Sequence, residues 1–207
     1  MIERTLEPIL RQKCNESKIV VLKGARRTGR LTLVSRVFDL ENPATGIIDC
    51  SDKKERKAMG SLEQLKEFSR EKKVVIIRDA QLLENLQEYV DFAIELDSLE
   101  NLLLICSFEP DLHEDLWEAL RDQGLELVLF PLSYSESAKF HGLVQEDKFL
   151  EDRLIYGYYP EVVMQPEQSE RIISEIIESS IFTRLGASER INKKDKLIKL
   201  LRHLAFN

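Results

Sequence analysis

Five short apolar runs, at 19–22, 46–50, 74–77, 102–105 and 125–130, constrain the fold more than any other feature of the sequence. The first, third and fourth are unbroken, as expected of strands buried on both faces. Stretches with helical periodicity lie between them, at 31–38, 62–68, 83–96 and 112–120. A regular alternation of strand and helix predicts an α/β domain around a mainly parallel sheet. Right-handed crossovers would then place helices on both faces of that sheet.

The pattern changes after Pro131. Ser133, followed three residues later by Glu136, is a capping-box signature, so a helix is expected to begin there. The remainder reads as helical pieces at 136–140, 147–155, 167–185 and 194–205, with a loop at Gly157-Tyr158-Tyr159-Pro160. The expected organisation is an α/β domain over residues 1–142 and a small helical annex over 143–207. The segment 197–205 carries an apolar stripe with no cap after it. It reads either as a chain cut short before a further domain or as a terminal helix docked on the annex.

A chain of 207 residues can bury a sizeable core without disulfides or metals. Its three cysteines, Cys14, Cys50 and Cys106, are odd in number and widely spaced, which fits neither a disulfide framework nor a zinc site and points to a reducing compartment. The opening residues lack the basic and apolar regions of a secretory signal, and no stretch approaches the ~20 apolar residues of a membrane span. The expected location is the cytoplasm, with no membrane partner. A net charge of -7 argues against a surface wholly devoted to nucleic acid. Local basic patches remain, one at Lys23, Arg26, Arg27, Arg30 and Arg36, another in the tail between Arg184 and Arg202. The tail could touch DNA or an acidic partner, or be a solvated helix face.

Directly after the first apolar run comes Gly24-Ala25-Arg26-Arg27-Thr28-Gly29-Arg30-Leu31-Thr32. A phosphate-binding loop reads G-x-x-x-x-G-K-[ST] between a strand and a helix. Both glycines are present, and they let backbone N–H groups surround a phosphate. The lysine position holds Arg30, whose planar fork is no equivalent of a compact ammonium. The hydroxyl position holds Leu31, which cannot ligate a metal. Thr32 carries a hydroxyl about 100° further round the helix.

A phosphate-loop NTPase also needs an acid at the end of a later strand for Mg²⁺, often followed by a water-polarising Glu. The third run ends Arg78-Asp79-Ala80-Gln81. In one register Arg78 occupies the metal-acid position and Asp79 the catalytic one. In the other, Asp79 is the metal acid and Ala80 follows. Neither register supplies two acids.

Together these segments resemble a prokaryotic family of AAA-type P-loop ATPases, archaeal-ATPase-like proteins that carry a C-terminal domain of unknown function. The family loop reads like G-P-R-[RQ]-V-G-K-T-T-L, against Gly24 to Leu33 here. Its acidic strand ends D-E-[IV]-Q, and Gln81 sets the first of the two registers. Its T-G-S-S aligns with Ile105-Cys106-Ser107-Phe108. Its P-L-S-F-x-E and G-G-[FY]-P-E-V match Pro131 to Glu136 and Gly157 to Val162. The resemblance implies a P-loop NTPase fold, an AAA/RecA-like three-layer sandwich with a five-stranded parallel sheet in strand order 5-1-4-3-2, plus the helical annex. It implies nucleotide contacts from residues 24–32, sensor-like roles for Arg78, Gln81 and Ser107, and a catalytic role for Asp79.

The departures fall on the chemistry: Arg30 for the lysine, Leu31 for the hydroxyl, Arg78 for the metal acid, and Asp122-Gln123 where the family has a G-R pair. That set implies degenerate Walker motifs and a pseudo-ATPase: ATP or ADP as ligand, Mg²⁺ poorly held, hydrolysis lost or weak. A module for protein partners, its pocket closed by an Arg78–Asp79 or Arg30–Asp79 ion pair, is the other reading. Nucleic acid would enter only through a basic patch or a further C-terminal domain. His113, His141 and His203 lack any metal-ligand spacing, and Cys106 reads as a small apolar residue at a strand end.

Overall fold

In the computed structural model the residues described are 2–107, 110–186, 199–200 and 203–204, with side chains of 180–186 excepted. The five apolar runs form β1 (Ile19–Lys23), β2 (Thr45–Asp49), β3 (Val74–Arg78), β4 (Asn101–Cys106) and β5 (Glu126–Val128). All four neighbouring pairs are parallel, in the order β2-β3-β4-β1-β5. This is the expected 5-1-4-3-2 order read from the other edge. The three interior strands are the apolar ones: Val20, Val21 and Leu22 of β1, Val75 to Ile77 of β3 and Leu102 to Leu104 of β4 are buried. The edge strand β2 alternates buried and half-buried positions, so one of its faces is covered more fully than the other.

The helices of this layer are α1 (Leu6–Glu16), α2 (Arg30–Val37), α3 (Lys53–Ala58), α4 (Leu62–Ser69), α5 (Leu86–Glu95) and α6 (Glu114–Asp122). Helix α1, absent from the sequence reading, packs on β1 and α2 and buries Leu10 and Cys14. Of the stretch 83–96 only Leu86–Glu95 is helical, as α5 starting after Asn85, and a 3₁₀ turn at Ala80–Leu82 precedes the stretch. One apolar core, running from Leu10 to Leu129, joins the sheet to these helices.

Beyond the sheet lie α7 (Tyr134–His141), α8 (Leu143–Lys148), α9 (Leu150–Tyr156), α10 (Pro160–Met164) and α11 (Ser169–Gly186). The capping box opens α7 as expected: the Glu136 N–H donates to Ser133 Oγ at 3.2 Å, and the Ser133 N–H to Glu136 Oε2 at 2.9 Å. Two sequence expectations need correction. The helix foreseen at 147–155 is two helices joined at Phe149. Pro160, expected to close a loop, instead opens α10 and supplies a pre-set φ at its first helical position. The helix foreseen at 194–205 lies largely outside the described residues.

The amino terminus fastens the two layers. Ile2 packs with Leu132 and Val163. The Arg4 guanidinium donates to Thr28 O at 2.8 Å and Phe130 O at 2.6 Å, and its Nε stands 3.3 Å from Glu136 Oε1. Burial alone would raise the Glu136 carboxyl. Hydrogen bonds from Ser133 and Thr5 and the Arg4 charge outweigh it and hold the group below its ordinary value.

Candidate phosphate-loop site

Strand register assembles the site. Lys23 of β1 lies beside Cys106 of β4, Ile105 of β4 beside Arg78 of β3, and Arg78 beside Asp49 of β2. The residues after these three strand ends, Gly24, Ser107 and Asp79, therefore emerge at one rim of the sheet. Ligands of open α/β sheets bind at this carboxyl rim.

The loop between β1 and α2 requires both of its glycines. A Cβ on Gly24 would stand 2.5 Å from Leu129 O, and Gly29 has φ 89°. Arg27 adopts the left-handed region too, with φ 63°. Thr28 is fully buried and its hydroxyl donates to Ala25 O at 2.9 Å, so it braces the turn rather than facing outward. The first N–H groups of α2 have no intrahelical acceptors, and with the helix dipole they make its start attractive to an anion.

A cavity of about 320 Å³ opens there, walled by Arg27, Gly29, Arg30, Leu31, Thr32, Arg78 and Asp79 from the residues singled out in the sequence. Ile105, Pro160, Glu161 and Met164 complete it. The last three belong to α10 and were not foreseen, because their approach depends on how the helical part folds back. Gly24, Ala25, Arg26, Thr28, Gln81 and Ser107 do not line the cavity. Several of them hold the residues that do.

Asp79, at φ 49°, is the hub. Its Oδ1 accepts from Gln81 Nε2 and from Ser107 Oγ, each at 3.0 Å, and its Oδ2 faces Arg26 Nη2 at 3.3 Å. Arg30 Nη2 in turn donates to Ser107 Oγ at 3.1 Å, and the Ser107 N–H to Gln81 Oε1 at 3.2 Å. Neither ion pair foreseen for a closed pocket is the one that forms with Asp79. Arg78 Nη1 pairs with Asp49 Oδ2 at 2.6 Å, because these are cross-strand neighbours, while Asp79 lies past the end of β3 with its backbone in the left-handed region. Arg30 is one hydroxyl removed from Asp79, and Arg26 takes the direct contact.

Arg30 Nη1 is buried without a hydrogen-bond partner. Burial lowers the Arg30 guanidinium from its ordinary value, and the Asp79 carboxylate partly opposes that. Arg27 Nη1 reaches away from the sheet to Glu161 Oε2 at 2.9 Å and Glu175 Oε2 at 3.1 Å. Cys106, beneath this network, is pushed up to about 12 by burial and acts as an apolar neighbour. Among the described residues no cluster of three His, Cys, Asp or Glu is arranged to hold a metal, and no helix is long and apolar enough to cross a membrane.

Comparisons with known proteins agree with this architecture. Among solved structures the chain is similar to the Walker-type ATPase PABY2304 of Pyrococcus abyssi, with a TM-score of 0.51 and 17% identity over 98% of this chain and 76% of that one. A weaker likeness, TM-score 0.49 at 14% identity, links 97% of the chain to 77% of a katanin described for its self-assembly. The Pif1 helicase of Candida albicans matches at TM-score 0.41 and 14% identity, over 79% of this chain and 46% of the helicase. Comparison with curated protein sequences finds no match. A family model for an AAA domain matches residues 16–138, more than half of the chain, and covers the sheet, the glycine loop and Asp79. The chain belongs to the AAA domain family.

Proposed function

We propose that this protein binds ATP or ADP at the rim of β1, β3 and β4 with hydrolysis lost or weak. The observation that carries the proposal is Arg30: a wall of the cavity at the start of α2, with one nitrogen buried and unpartnered. A buried guanidinium N–H without an acceptor is costly, and a phosphate oxygen would supply one. The opening N–H groups of α2 and the turn built on Gly24 and Gly29 would add neutral donors around the same oxygen. Arg27 and Arg78 also wall the cavity and add positive charge around it, although each is already paired with carboxylates.

The residues present do not fit Mg²⁺. Leu31 offers no ligand atom, and Arg78 brings a cation to the place where an acid would hold the ion. Asp79 already receives two hydrogen bonds and an arginine. Positive charge from arginine takes the part that a metal plays in a working ATPase. The proposed division is a nucleotide-fold part over 1–142 and a helical annex over 143–207, with protein partners on the outer surface and a cytoplasmic location.

A second reading rests on the Arg26–Asp79 contact. If that pair and the Ser107–Gln81 bonds close the rim permanently, the fold serves only as a platform for protein partners. Thermal unfolding with ATP and ADP, each with Mg²⁺ and with EDTA, separates the two. A ligand held only by the folded state raises its stability by RT ln(1 + [L]/Kd), about 2.7 kcal/mol at one hundred times Kd. The proposal expects a shift that survives EDTA. No shift at millimolar nucleotide supports the platform reading, and Mg²⁺-dependent ATP turnover that disappears in Arg30→Ala would show a working ATPase.

A further inference from the structure

Carboxylates already hold three of the arginines at the rim. Arg26 faces Asp79, Arg78 pairs with Asp49, and Arg27 pairs with both Glu161 and Glu175. Asp49 ends β2 and Asp79 directly follows β3, whereas Glu161 and Glu175 come from α10 and α11 of the helical part. The acids on Arg27 are also the more accessible ones. The Glu161 and Glu175 side chains are 40% and 42% exposed, against 21% for Asp49 and 12% for Asp79. Ion pairs open to water are weak, so a competing anion can displace them. Displacement at Arg27 would leave the sheet and its rim network in place.

Arg27 and Glu161 both wall the phosphate-loop cavity, so the pair borders the space that a nucleotide would enter. A single nitrogen, Arg27 Nη1, makes both contacts, at 2.9 Å to Glu161 and 3.1 Å to Glu175. Glu175 divides its oxygens, since its Oε1 accepts from Arg171 at 3.2 Å. Carboxylate and phosphate engage a guanidinium through the same N–H groups, so this nitrogen is not free for a phosphate while the two glutamates hold it. Arg27 keeps its place at φ 63°, a left-handed backbone that glycine would adopt without penalty. A charged side chain retained on a strained backbone at a ligand loop points to a clamp or a switch.

We propose that Glu161 and Glu175 form an autoinhibitory contact: they occupy Arg27 in the place of a nucleotide phosphate, and nucleotide binds by displacing them. The inference rests on the nucleotide reading above and adds its regulation. The exchange frees α10 and α11 from the glycine loop, so occupancy of the site is passed to the helical part. By linkage, a partner that draws the two carboxylates off Arg27 tightens nucleotide binding by the same factor by which nucleotide tightens the partner's.

Equilibrium dialysis with ATP in EDTA, on the full chain and on the double variant Glu161→Gln with Glu175→Gln, tests it. The double variant should bind ATP about two- to tenfold more tightly, the range that two exposed ion pairs allow. Its affinity for adenosine, which has no phosphate, should equal the parent's. In an Arg27→Gln background the same two changes should lose their effect; a gain that persists there would reflect repulsion between glutamate and phosphate alone and would overturn the inference. Hydrogen exchange over residues 160–176 should speed up when ATP binds the parent and be fast from the start in the double variant; exchange unmoved by bound ATP would also overturn it. Equal ATP affinity in parent and double variant sinks the autoinhibitory contact and leaves nucleotide binding standing. No ATP binding in either sinks the nucleotide reading and this inference with it, whereas binding in the double variant alone supports the contact as a complete block.

Discussion

At the scale of single residues the site is governed by close approach and by burial. Gly24→Ala would force a methyl against a backbone carbonyl 2.5 Å away, and neither strand can yield without disturbing the β1–β5 pairing. A loss of about 1–3 kcal/mol is expected, read as a lower urea midpoint at unchanged slope. Glu136 gives a pH signature. Its folded-state pKa is depressed, so its stabilisation is complete above the ordinary glutamate value and is lost as pH falls through the folded value. Glu136→Gln should cost on the order of 3 kcal/mol at neutral pH by leaving Arg4 buried beside an uncharged partner. Its deficit relative to the parent should shrink steadily as the pH drops below about 4.3. A deficit independent of pH would show that packing rather than charge makes Glu136 matter. The glycines, Arg30 and Asp79 were all legible in the sequence, because spacing after a strand implies a turn and a helix start. The partners of Asp79 were not, because Arg26, Gln81 and Ser107 are assigned to it by geometry at the rim.

Among elements, the connection of the glycine loop to α10 and α11 rests on Arg27. Its two ion pairs to Glu161 and Glu175 are substantially exposed and therefore weak, about 0.2–1 kcal/mol each. Its left-handed backbone costs roughly 1–2 kcal/mol, which glycine would relieve. Arg27→Gly should consequently change global stability by less than about 1 kcal/mol while removing the tie. Hydrogen exchange should speed up over residues 160–176 and stay constant in the sheet; uniform exchange across both would mean that apolar contacts such as Ile2–Val163 carry the connection. The elements themselves were largely readable. Buried parallel strands advertise themselves as unbroken apolar runs, and the Ser133–Glu136 box marked the start of α7. Helix α1 escaped notice because its buried positions, Leu10 and Cys14, are only two among polar neighbours. The kink at Phe149 escaped because each half buries a single charged residue, Glu146 or Arg153, which reads as exposed in a pattern.

For the whole molecule, the central expectation is a nucleotide-dependent rise in unfolding temperature that EDTA does not abolish and that Arg30→Ala removes. Loss of the shift in EDTA would mean that metal binds through groups other than those considered above. That expectation rests on Arg30 and Arg78, read by resemblance as standing where the family has its lysine and metal acid, and both were visible in the linear sequence. So were the fold class, the strand count and the loop, since these follow from local periodicity and from residues adjacent in the chain. The tertiary structure decided what depends on register and on long-range return of the chain. It paired Arg78 with Asp49 across β2 and β3, made Asp79 the hub of a network from three strand ends, and brought α10 over the loop to complete the cavity. Those contacts join residues separated by tens of positions, so their partners are chosen by packing of the sheet and its helices, a property that no local pattern encodes.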